Sequence, residues 1–276
     1  MTISFRSILQ AVNNYNRLQS INDGLALQLS TGKRINSPKD DPYLYRRIGA
    51  FEEESARYET YLDAIDEGLA VVSHVHDAVG QQIDTLEKML EIANKVSAGG
   101  LSAGERNALN EQYEELTKQL TAIAEGTGIG GKTYLDGTYE NAGSGFRIAT
   151  GPGGEVYELT LPNTTAGDDG LDVEDTSVSS TGNANSAIGA LEDALESLTG
   201  LQQRLGTGEF ILESRSGLME SKQRELDALV DKYQAVDPVR LAAQLDRNKT
   251  LQQYTLAAIG SSLDSQRSLV DYLFPR

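Results

Sequence analysis

Apolar residues recur along this chain at steps of three and four, the spacing that lines one face of a helix. The first run, Ile8, Val12, Tyr15, Leu18, Ile21, Leu25 and Leu29, predicts an amphipathic helix that Thr31-Gly32 ends. A second run is longer: Ile48, Phe51, Ser55, Tyr58, Leu62, Ile65, Leu69, Val72, His76, Val79, Ile83, Leu86, Leu90 and Ala93. Twelve of these fourteen are apolar or aromatic, a coiled-coil signal. A helix of that extent is about 70 Å long, more than a compact domain requires.

Punctuation residues divide the pattern. Pro42 suits the first turn of the long helix, with Asp40 or Asp41 as its cap. Gly99-Gly100 stops it. Ser102 and Glu105 have the spacing of a capping box for a following helix, whose seam Leu109, Tyr113, Leu116, Leu120 and Ile123 predicts that it folds back on the first. Phe146 to Thr150 and Glu155 to Leu161 read as two strands joined by Gly151-Pro152-Gly153-Gly154. The polar stretch from Pro162 to Asn185 reads as an exposed loop. Its Asp168, Asp169, Asp172 and Asp175 lack the DxDxDG order of a calcium loop and read as a solvated acidic turn.

Another long helix is expected from about Ala184 to Tyr233, because Leu191, Leu198, Leu205, Leu212, Met219, Leu226 and Tyr233 lie seven residues apart. Its companion seam is weaker: Ile188, Leu195 and Val230 are apolar, while Gln202, Glu209, Ser216 and Gln223 are polar. Gly200, Gly206, Gly208 and Gly217 each lower helix stability by about 1 kcal/mol relative to Ala, so this helix depends on its partner. After Asp237-Pro238 a last helix carries heptad steps through Leu256, Ile259, Leu263, Gln266, Val270 and Leu273.

These elements predict a mainly α fold, an elongated antiparallel helical bundle or coiled coil built from N- and C-terminal segments, with a small β-hairpin region and a terminal pair of helical arms. The expected division is an N-terminal arm (1–41), N-terminal rod helices (42–125), a β-hairpin and exposed loop region (126–183), a C-terminal rod helix (184–235) and a C-terminal arm (236–276). Two amphipathic arms at opposite ends of one chain can pair, yet alone they offer each other little surface.

Charge sharpens the division. The whole chain carries −17, which argues against nucleic acid as a partner. Residues 1–40 hold five basic and two acidic groups, residues 236–276 five and four, and residues 41–235 fourteen and thirty-five. The acid belongs to the rod; near-neutral arms fit burial against copies of themselves. With no Cys and only His74 and His76, disulfides and Cys/His zinc sites are excluded. His76 falls on the seam and reads as a polar break in packing. The first residues lack a continuous apolar run, and no segment is long and apolar enough to span a membrane, so neither a cleaved signal peptide nor membrane insertion is expected.

One motif points to chemistry. GTGIGGKT, Gly126 to Thr133, matches the phosphate-loop pattern letter by letter. That loop requires a strand before it and a helix after it, whereas TAIAE before it is helical and TYLDGTYENAGSG after it is rich in turn formers. Lys132 then reads as a surface residue in a turn. A nucleotide-binding protein using Gly126 to Thr133 is the rival from another class, and a coiled-coil scaffold forming a closed oligomer is a third. No acid/base pair or nucleophile constellation stands out, so neither enzymatic activity nor a catalytic, metal or cofactor site is expected.

LSTGKRINSPKDD (Leu29 to Asp41), IAEGTGIGGKTYLDGT (Ile123 to Thr138) and the apolar-ended C-terminal helix resemble the bacterial flagellin family over the first 140 residues and the last 90 or so. The resemblance implies a structural subunit that polymerises through its terminal helices into the flagellar filament, for motility. It implies an extracellular, flagellar location reached without a cleaved signal peptide. The implied partners are further copies of the chain, hook-associated and cap proteins, the flagellar export apparatus and an export chaperone. Ile8, Val12, Leu18, Ile21, Leu25 and Leu29 in one arm, with Leu256, Ile259, Leu263, Val270 and Leu273 in the other, are the expected subunit-contact residues. DDPYLYRRI (Asp40 to Ile48) and SLVDYLF (Ser268 to Phe274) look more like the hook-filament junction protein of the same family. LDGT and Gly170 to Ile188 look more like filament flagellin, and the filament reading is preferred. LEKMLEIANKV (Leu86 to Val96) resembles the family segment bound by animal innate receptors, with Leu90 where those flagellins carry an arginine.

Overall fold

A computed structural model of the chain describes residues 5–141 and 143–273, without the side chains of Phe5, Ser7 and residues 269–273. Five helices and two small hairpins follow in order. They are α1 (Phe5–Thr31), α2 (Pro42–Ser97), α3 (Ala103–Gly126), β1 (Gly128–Ile129), β2 (Lys132–Thr133), β3 (Phe146–Gly151), β4 (Glu155–Leu159), α4 (Thr181–Gln234) and α5 (Pro238–Leu273). The fold is mainly α. The chain forms two compact units, Met1–Ser55 with Arg224–Arg276, and Ala56–Gln223; α2 and α4 contribute to both.

Local chemistry sets the helix ends. Asp41 Oδ1 accepts from the N–H groups of Tyr43 and Leu44, so Asp41 is the cap of α2. Asp40 instead closes the loop before it, accepting from the N–H groups of Asn36 and Ser37. At α3 the expected capping box is complete: Glu105 N–H donates to Ser102 Oγ, and Ser102 N–H donates to Glu105 Oε2. Asp237 Oδ1 accepts from the N–H groups of Val239 and Arg240 and caps α5.

The unit of residues 56–223 is built on α2 and α4, which run antiparallel: Ser97 Oγ donates to Asn185 Oδ1, and His76 Nδ1 lies 3.3 Å from Glu209 Oε1. The polar break expected at His76 is thus answered by a carboxylate on the other helix. Ile65, Val72, Val79, Leu86 and Ala93 of the expected seam are buried, as are Leu191, Leu198, Leu205, Leu212 and Met219 of the seven-residue series.

Two sequence expectations are corrected in this unit. The companion seam of α4 is Ala187, Ala194, Leu201 and Gly208, all buried; Ile188, Leu195, Gln202 and Glu209 are only half-buried. At Gly208 the lack of a side chain admits the β3–β4 hairpin, with Tyr157 so close that an added Cβ would meet its hydroxyl at 2.8 Å. The second correction concerns residues 162–183, which are not an exposed tip. Thr164, Ala166, Leu171, Val173 and Val178 are buried, while the acidic residues and Ser179 to Asn183 are exposed.

That segment lies as a strap across α2 and α3. Gln82 Nε2 donates to Leu120 O and Thr164 O, Ala166 N–H to Thr121 Oγ1, and Val178 N–H to Asn110 Oδ1. Tyr113, fully buried, shares a hydrogen bond with Thr176, and burial pushes its phenol above the ordinary value. To receive strap, hairpin and α3, helix α2 buries a second stripe that the sequence analysis did not isolate: Val71, Val75, Ala78, Gln82, Thr85, Met89 and Val96.

Candidate assembly interface

In the other unit, α1 and α5 pack side by side. They run antiparallel, because Lys33 bridges to Ala235 at one end and Asn22 Nδ2 donates to Gln252 Oε1 farther along. The side of α1 turned inward holds Ile8, Ala11, Tyr15, Leu18, Asn22, Leu25 and Gln28; that of α5 holds Leu241, Leu245, Asn248, Gln252, Thr255, Ile259, Ser262 and Gln266. In this seam five amides, Asn22, Gln28, Asn248, Gln252 and Gln266, interrupt the apolar residues.

The outer faces carry large apolar residues as well. Leu9, Val12, Ile21, Leu27 and Leu29 of α1 are exposed, with Leu251, Tyr254, Leu256 and Leu263 of α5; Leu256 is 56% exposed and Leu263 51%. A shallow groove of about 300 Å³ runs between the helices, lined by Asn14, Arg17, Leu18, Ile21, Leu251 and Thr255. Soluble chains rarely leave leucines and isoleucines open in series unless something covers them.

The expected contact residues therefore divide. Ile8, Leu18, Leu25 and Ile259 are half-buried on the inner side, whereas Val12, Ile21, Leu29, Leu256 and Leu263 are exposed. The side chains of Val270 and Leu273 lie outside the described residues. Sequence periodicity placed all of these on one stripe per helix. It missed Leu9, Leu27, Leu251 and Tyr254, which a count of apolar residues off the main stripe would have found.

The phosphate-loop motif has a different geometry from its namesake. Helix α3 precedes it, and Gly128 to Thr133 forms a two-residue hairpin, with Gly128 opposite Thr133 and Ile129 opposite Lys132. Gly130 and Gly131 have φ of +63° and +81°, the left-handed pair that such a turn requires. Lys132 is exposed on β2, and no helix N-terminus follows it. Among the described residues no group of three or more His, Asp or Glu is placed to hold a metal, and no helix is long and apolar enough to cross a membrane.

Fold and site together define a helical structural protein whose open apolar surface lies on its own paired ends. The model of the bacterial flagellin N-terminal helical region matches residues 6–140. The chain is similar to flagellin FljO of Caulobacter vibrioides, 26% identical over 263 residues that cover 95% of this chain and 94% of the relative. It is also similar to polar flagellin F of Vibrio parahaemolyticus, 27% identical over 191 residues, 69% of this chain and 49% of that one. Among solved structures, a protein of Vibrio parahaemolyticus described as flagellar hook-associated shares the fold, with a TM-score of 0.61 at 14% identity over 71% of this chain and all of that one.

These similarities support the bacterial flagellin family for this chain. That family is structural and not enzymatic, and membership implies self-polymerisation at the extracellular bacterial flagellum.

Proposed function

We propose that this chain is a subunit of the flagellar filament, assembled through the outer faces of α1 and α5. The observation that carries the reading is the set of large apolar residues left exposed on both arms, over a seam that amides interrupt. Such a pair gains order when neighbours cover its outer face; burying a half-exposed leucine contributes about 1 kcal/mol. Val12, Ile21, Leu29, Leu256 and Leu263 are the residues assigned to neighbouring copies, and Val270 and Leu273 extend the same assignment. Ile8, Leu18, Leu25 and Ile259 support it from the inner side. An open helical array needs two different surfaces of each subunit to meet, which separate stripes on α1 and α5 can provide.

The same reading includes the five-part division into arms 1–41 and 236–276, rod segments 42–125 and 184–235, and the central region 126–183. It also includes export through the flagellum without a cleaved signal peptide, with a chaperone, and contacts to hook-associated and cap proteins. Negative-stain electron microscopy of the purified chain, with filament seeds or a precipitating salt, tests it: long tubes of constant diameter are expected. Persistent monomers would favour the second reading, a hook-filament junction protein, which Asp40 to Ile48, Ser268 to Phe274 and the hook-associated fold relative support.

A further inference from the structure

The loop between α1 and α2 is tied to the last turn of α4. Arg34 N–H donates to Gln234 O at 2.6 Å, and its guanidinium donates to Tyr233 O at 3.0 Å. These carbonyls belong to a helix C-terminus, where four lack helical partners and a cation is favoured by the helix dipole. Arg47, from the first turns of α2, lies 5.3 Å from the ring centroid of Tyr233 and 5.5 Å from that of Phe51, while the two rings stack at 6.3 Å. Lys33 pairs with Ala235 as an antiparallel bridge and reaches Glu52 at 3.7 Å; Gln234 Nε2 donates to the same carboxylate. Only Gly32 separates α1 from this joint, and only Val236 and Asp237 separate it from α5.

We propose that Arg34 and Arg47 are positioning residues that hold the C-terminal end of α1 and the N-terminal end of α5 together, so that the two arms pair in one arrangement. With connections this short, fixing Lys33 and Arg34 against Gln234 and Ala235 fixes where α1 ends and where α5 begins. The arm seam fixes this less firmly, since amides interrupt its apolar residues. Arginine suits the task better than lysine: one planar guanidinium donates to a backbone carbonyl, and the other offers a flat face to two rings.

The chain has no Cys, so an introduced pair reports on the joint without interference. Antiparallel bridge partners such as Lys33 and Ala235 lie within reach of a disulfide. In the full chain carrying Lys33→Cys and Ala235→Cys, mild oxidation should close the bond rapidly. Adding Arg34→Ala and Arg47→Ala should slow closure about tenfold, the scale set by losing a charged hydrogen bond and a cation–ring contact. Arg34→Lys with Arg47→Lys, which retains the charges, should slow it as well and serves if the alanine chain fails to fold. Closure at an unchanged rate overturns the proposal.

The second arm of the test rests on the filament reading. The arginine-less chain should polymerise poorly when reduced and regain polymerisation once the disulfide is closed. Failure to regain it, when the oxidised reference pair polymerises, also overturns the positioning role. A reference pair that never polymerises counts against the filament reading, and the closure rate still decides the role of the joint.

Discussion

Asn22 donates its side-chain amide to Gln252 Oε1 at 3.0 Å inside the seam of α1 and α5, and Asn22 Oδ1 is buried without a partner. Replacing either residue alone with Leu leaves one buried amide unpaired and should weaken the arm pair by about 1–3 kcal/mol. The double replacement Asn22→Leu with Gln252→Leu removes both amides and should be neutral or stabilising. Helical circular dichroism followed through thermal unfolding checks this, the expected sign being strong non-additivity.

The outer faces give the assembly prediction. Leu256→Asp or Leu263→Asp places a charge on the exposed side of α5, where no partner within the chain is disturbed. Filament formation should stop while the unfolding transition of the rod is unchanged. Tubes formed by either variant would remove these residues from the contact.

Gly68 and Ile148 fix how the β3–β4 hairpin sits on α2. A Cβ at Gly68 would meet Ile148 Cδ1 at 2.5 Å, and Ile148 is buried at 3% exposure and cannot swing away. Gly68→Ala should therefore destabilise by about 1–3 kcal/mol, despite the better helix propensity of Ala. Adding Ile148→Ala should recover part of the loss. Denaturant midpoints of the three variants give the comparison.

Gln82 is fully buried and holds Leu120 O and Thr164 O at once. Gln82→Leu keeps the size and removes both donors, so the strap of residues 162–183 should loosen by about 1–3 kcal/mol. Faster amide exchange at Ala166 and Val178, with little change in α1, is the expected signature.

The capping box of α3 carries a pH dependence whose sign follows from its hydrogen bonds. Hydrogen bonds from the side chain and backbone of Ser102 hold the Glu105 carboxyl below its ordinary value. A depressed carboxyl contributes stability that is fully present above that ordinary value and is lost as pH falls through the lowered one. The first turn of α3 should accordingly fray in acid, and Glu105→Gln should abolish the pH dependence. Amide exchange at Glu105 and Arg106 between neutral and acid pH measures it.

Much of the architecture was legible because it rests on local rules. The seven-residue series Leu191 to Leu226 is buried as its spacing requires, the box at Ser102 and Glu105 forms as its letters require, and the hairpin turns fall on their glycines. The strap was misread because composition was used where pattern was needed: five buried residues are scattered among Asp, Thr and Ser, with no period to reveal them. Of the candidate site, the helices were legible and their faces were not. Ile8 and Val12, or Leu18 and Ile21, sit on one stripe by spacing, and the structure turns one of each pair inward and the other outward.

By itself, then, the sequence determined the helices, their ends and their amphipathic character, because hydrogen bonding within a helix, capping and apolar spacing act over a few residues. Tertiary structure decided which of two adjacent stripes is covered. That choice depends on partners far away in the chain, 230 residues for Asn22 and Gln252 and 199 for Arg34 and Tyr233 at the end of α4. No local spacing carries that information. It comes from the competition between burying leucines inside one chain and leaving them for the next.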